Sequence, residues 1–64
     1  MNKKKSRGAA YCEGCMVRSS RDNGEAGVVI GMTHRRGGWC YTVQMVVSDR
    51  IVTRAENELE EIED

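Results

Sequence analysis

The chain is 64 residues long, 39% hydrophobic and 31% charged, with ten basic residues balanced by ten acidic ones. A chain of this length makes one domain that buries only roughly 60% of the surface its unfolded form exposes, so its stability is expected to be marginal. No apolar run is long enough for a transmembrane helix, and the opening "MNKKK" is not followed by the apolar stretch of a secretory signal, so a cytoplasmic protein that makes no membrane contact is expected.

The three cysteines, an odd number, argue against a closed disulfide framework and agree with a reducing compartment. The zero net charge hides a gradient. Residues 1–40 carry eight basic side chains against three acidic ones, a net of +5, and residues 41–64 carry two against seven, a net of −5. Such asymmetry can steer an anionic partner to the basic side, although a disordered basic leader and a solvated acidic tail produce the same gradient.

Residues 1–10 show no periodicity and read as a flexible basic leader, and residues 63–64 as an acidic tail, which leaves 11–62 as the folded domain. "CMVRSS", residues 15–20, has the composition of a short strand. "RDNG" at 21–24 follows as a turn, because Asn23 and Gly24 tolerate positive φ. "GVVIGMTH" at 27–34 is a strand rich in β-branched residues, in which Gly27 and Gly31 mark a bulge or a close backbone approach. "RRGG" at 35–38 closes a hairpin. "WCYTVQMVV" at 39–47 reads as the longest strand, with Trp39, Tyr41, Val43, Met45 and Val47 on one face and Cys40, Thr42, Gln44 and Val46 on the other. Ser48 and Asp49 make a second tight turn, and "RIVTR" at 50–54 is a fourth strand. In "AENELEEIED" only Leu59 and Ile62 are large and apolar, too few to anchor a long amphipathic helix. One 3-10 or α turn over 55–58 is expected instead, then a brief fifth strand, with Leu59 and Ile62 docking into the core.

Four or five short antiparallel strands with tight turns and no proline make the chain all-β, and closure into a small barrel would hide strand edges that otherwise aggregate. Alternation assigns Val17, Val29, Ile30, Tyr41, Val43, Ile51 and Leu59 to the core. The glycines serve turns and bulges, since neither a P-loop pattern nor a following helix is present.

The run "VRSSRDNGEAGVVIG", then "YTV", then "ELEEI", resembles the SH3-like small-barrel pattern shared by KOW, Tudor-like and plasmid-encoded type II dihydrofolate reductase domains. The shared elements are a Val-Arg strand, a Gly-x-Val start to the second strand, a Tyr-x-Val third strand and a closing Leu after an acidic turn. The resemblance covers residues 15–62 and implies fold more than activity. The reductase builds its pore from a Val-Gln-Ile-Tyr segment. The matching positions here are Ile51, Val52, Thr53 and Arg54, without the Gln and the Tyr, so what is implied is a relative in shape without the reduction chemistry.

Three candidate sites follow from the residues. Cys12 and Cys15 have the spacing of a zinc half-site, which His34 and Cys40 could complete as a Cys₃His set, against the reading of the cysteines as small buried hydrophobes. His34, Arg35, Arg36, Trp39 and Tyr41 combine aromatic faces with guanidinium groups, as a single-stranded nucleic acid or a phosphate-bearing partner would use through stacking and ion pairing, and Lys3, Lys4 and Lys5 extend the basic character. Tyr41 is expected inside and Trp39 at the rim. Catalysis is not expected, because one histidine and no paired carboxylates on an ordered element leave acid–base and nucleophilic chemistry little to use. The expectation is therefore a non-enzymatic binding module without a cofactor, monomeric or a small homo-oligomer, that docks on a protein as an adaptor or inhibitor. A nucleic-acid binder using the leader and the 34–39 hairpin is the alternative, and a zinc-stabilised module the third. The size would suit a phage or mobile-element accessory protein.

Overall fold

The computed structural model describes residues 8–62. Lys3, Lys4 and Lys5 of the basic leader and the acidic tail at 63–64 lie outside the described residues. Among the described residues there are five strands, β1 (Met16–Ser19), β2 (Glu25–Arg35), β3 (Gly38–Met45), β4 (Ile51–Ala55) and β5 (Leu59–Glu61), with 3-10 turns at Ser20–Asp22 and Glu56–Glu58. They form one antiparallel sheet in the order β4-β3-β2-β1-β5. The chain is thus all-β, and the brief helical turn before β5 falls where its composition predicts. That turn stops after one cycle, with the Ala55 N–H donating to Glu58 Oε1 at 2.9 Å as the return half of a capping box. Among the described residues no helix is long and apolar enough to cross a membrane.

Val17, Val29, Tyr41, Val43 and Leu59 are buried as alternation requires, and Ala9, Cys15 and Met45 join them. Among the described residues the packing reaches back to Ala9. Ile30 and Ile51 correct the expected core, being 45% and 61% exposed. The cause at Ile30 is a bulge. Val29 pairs with Val43, yet the next pair is Gly31 with Thr42, so Ile30 has no partner on β3. Gly27 and Val29 face inward before the bulge, whereas beyond it Met32 lies opposite the buried Tyr41 and His34 opposite Trp39. Ile51 pairs with Gln44, on the outer face of the sheet, while its neighbour Val52 pairs with the buried Val43.

Val47 is 82% exposed because β3 ends at Met45, two residues earlier than predicted. There the Met45 N–H donates to the Arg50 carbonyl at 2.7 Å and the Val46 N–H to the Ala26 carbonyl at 3.0 Å. As a result β2, with 11 residues, is the longest strand, and β3 has 8. Both expected roles for strand glycines occur. Gly31 sits at the bulge, and a Cβ on Gly27 would collide with Val43 Cγ1 and lie 3.0 Å from the Gln44 carbonyl oxygen.

Candidate binding site at the hairpin

Pairing of Arg35 with Gly38 leaves Arg36 and Gly37 as a two-residue loop between β2 and β3. Gly38 takes φ 127°, a conformation that side chains disfavour. The bulge brings His34 to the same face as Trp39, where their rings lie 4.9 Å apart between centroids at 55°. Trp39 is half-buried against the core, and His34, Arg35 and Arg36 are exposed. Among the described residues no carboxylate pairs with Arg35 or Arg36. Every other described arginine is engaged: Arg18 with the Gly24 carbonyl, Arg21 with Glu58, and Arg50 and Arg54 with Asp22.

Beside this hairpin lies an open cleft of about 770 Å³, lined by Arg35, Gly37, Gly38, Trp39 and Cys40 on one side and by Tyr11, Ala55, Glu56, Asn57 and Leu59 on the other. Two tyrosines support it. Tyr11 packs edge-on to Tyr41 at 5.2 Å between ring centroids and donates its hydroxyl to the Leu59 carbonyl at 2.9 Å. The Tyr41 hydroxyl donates to Glu56 Oε1 at 2.7 Å and accepts from the Ala10 N–H at 3.0 Å. Burial, with the adjoining Glu56 carboxylate next in importance, pushes the Tyr41 phenol up to about 12. Burial and Glu56 raise the Tyr11 phenol as well.

A second polar constellation, which the sequence reading missed, stands around Asp22. The Arg54 fork donates from Nε to Oδ2 at 2.9 Å and from an η nitrogen to Oδ1 at 3.0 Å. Ser19 Oγ donates to Oδ2 at 2.6 Å and Arg50 to Oδ1 at 3.2 Å. The Asp22 side chain is only 4% exposed. Hydrogen bonds from Arg54 and then Ser19 hold its carboxyl far below the ordinary aspartate value near 3.8. The sequence concealed it. With Ile51 read as inward, Arg54 falls on the outer face, and only the pairing of Val52 with Val43 and of Arg54 with Tyr41 turns it inward, where an arginine needs a carboxylate.

The four residues weighed as zinc ligands are not gathered. Cys12 and Cys15 lie together, with 3.4 Å between their sulfurs. Alternation along β3 puts Cys40 on the opposite face from Tyr41, paired with Ala55, and His34 is at the hairpin end. Among the described residues no group of three or more His, Cys, Asp or Glu side chains is placed to hold a metal ion.

No protein-family model matches the chain, and neither a curated protein nor a solved structure is similar enough to count as a match.

Proposed function

We propose that the chain is a small non-enzymatic binding module with an SH3-like barrel form, docking on a protein partner through the cleft beside the β2–β3 hairpin. The barrel reading is supported by the strand order β4-β3-β2-β1-β5 and by the single 3-10 turn between β4 and β5. The docking reading rests on one observation. Arg35 lines the cleft and Arg36 is exposed in the loop beside it, and among the described residues neither has a carboxylate partner while all other described arginines are bonded within the domain.

The lining favours a polypeptide over a nucleic acid. A polyanion attracted by Arg35 would meet the Glu56 carboxylate across the cleft, whereas a protein segment can offer each its opposite charge and bury a side chain against Trp39. Capture experiments on the full-length protein, in lysate of cells that express it and with or without nuclease, separate the two. A protein should be retained after nuclease treatment, respond weakly to salt and be lost with Trp39→Ala. Capture that vanishes with nuclease, together with single-stranded DNA affinity that falls steeply as salt rises, would replace this reading with the nucleic-acid one through His34, Arg35 and Arg36.

A further inference from the structure

The segment Cys12-Glu13-Gly14-Cys15 is a tight turn closed by the Cys15 N–H on the Cys12 carbonyl at 3.0 Å, with Gly14 at φ 91°. Positive φ at the third residue is the requirement of a type II turn, and it places the first and fourth Cα atoms within about 7 Å, inside the span that a disulfide bridges. The turn is held to the sheet from both sides. The Gly14 N–H donates to the Val29 carbonyl at 2.8 Å and the Val29 N–H to the Cys15 carbonyl at 2.9 Å.

Within this frame the two sulfurs lie 3.4 Å apart, and the Cys12 N–H points at Cys15 Sγ, also at 3.4 Å. That separation is near the attack distance of about 3–3.5 Å at which bound groups react efficiently. The two cysteines differ in access, Cys12 being half-buried and Cys15 buried. A more exposed cysteine followed by a buried one is the arrangement that an entering disulfide needs, the first to attack it and the second to resolve the adduct.

We propose that Cys12 and Cys15 form a redox-active dithiol that exchanges with a low-molecular-weight disulfide of the glutathione class. The Cys12 thiolate attacks one sulfur of the oxidised glutathione, the glutathione S–S bond breaks, and one glutathione thiolate leaves and takes up a proton. The Cys15 thiolate then attacks Cys12 Sγ in the mixed disulfide, an S–S bond forms between the two cysteines, and the second glutathione leaves as its thiol. Both protein thiols are oxidised, and two electrons and two protons pass to one glutathione disulfide. This dithiol stands independently of the hairpin cleft.

Full-length protein is incubated with glutathione disulfide, alkylated and mapped by mass spectrometry. The expected result is that Cys12 and Cys15 lose alkylation in step and appear in one disulfide-linked peptide, reversed by reduced glutathione. Cys15→Ser should stop the reaction at a stable glutathione adduct on Cys12. Because Cys15 belongs to the core, that variant can fail to fold, and Cys12→Ser supplies the second arm: its Cys15 should resist glutathione and remain alkylatable on unfolding. Cysteines that both stay fully alkylatable under conditions that oxidise a control dithiol, or a Cys12 adduct that persists unresolved in the wild-type protein, would overturn the proposal.

Discussion

The two ends of the sheet use arginine in opposite ways. Around Asp22, Arg54 and Arg50 converge on one carboxylate and join the first 3-10 turn to β4, residues some thirty positions apart in the chain. At the hairpin, Arg35 and Arg36 hold no carboxylate among the described residues, and the neighbouring rings of His34 and Trp39 are open to solvent in part. The same side chain is therefore a structural pin where a buried acceptor exists and a surface charge where none does. Composition counts all four alike, and only their neighbours separate them.

Removing the pin should produce the largest effect. Asp22→Ala leaves the guanidinium groups of Arg54 and Arg50 facing each other without their shared acceptor, and a loss of about 3 kcal/mol in unfolding free energy by denaturant titration is expected. Adding Arg54→Leu to that variant should recover part of the loss. A double variant no more stable than the single one would show that Arg54 is not the group left unsatisfied.

Gly27→Ala tests how far the rigid region extends, since it forces a methyl group against Val43 at the sheet centre. A loss of about 1–3 kcal/mol is expected from overpacking, read from the denaturation midpoint.

The pH response of the two regions should differ in sign. The Asp22 carboxyl has a folded-state pKa below its ordinary value near 3.8, so its contribution is complete above that value and is lost as pH falls through the folded-state one. The Tyr41 phenol, beside the cleft, is raised from 10.0 to about 12, so its contribution is complete below pH 10.0 and is lost as pH rises towards 12. Thermal melts across the two ranges should show the acid-side fall removed by Asp22→Asn and the alkaline-side fall reduced by Tyr41→Phe.

Arg35→Ala with Arg36→Ala should move stability least, by less than about 0.5 kcal/mol, because these groups make no charge pair among the described residues. A large loss would erase the contrast between the two ends.

Much of this arrangement was legible in the chain. The strands, the turns near Asn23-Gly24 and Ser48-Asp49, and the 3-10 turn at Glu56–Glu58 follow from β-branched runs, from turn-forming residues, and from a C-terminal segment with too few apolar residues for a longer helix. The 3-10 turn at Ser20–Asp22 is not foreseen. What escaped was non-local. Ile30 is as hydrophobic as Val29, and no pattern along β2 alone says that Ile30 lacks a partner on β3. The Asp22 cluster joins residues that share neither a motif nor a strand. Of the candidate site, the hairpin with Trp39 could be read from its turn residues, but the cleft could not. Tyr11, Glu56 and Leu59 reach it only because the second 3-10 turn and the segment before β1 meet beside Tyr41.

The bulge also decides where this protein can change length. One residue gained or lost elsewhere in a paired strand throws every later side chain to the wrong face. Ile30 is already supernumerary: the pairs Val29–Val43 and Gly31–Thr42 flank it, and each remains available whether or not it is present. Position 30 is therefore a joint at which variation in length is absorbed. The hairpin beyond it can be re-aimed or extended by evolution or by design while the pairing of Gly27 and Val29 with β3 is left alone, so the hairpin end can drift independently of the end that keeps the fold.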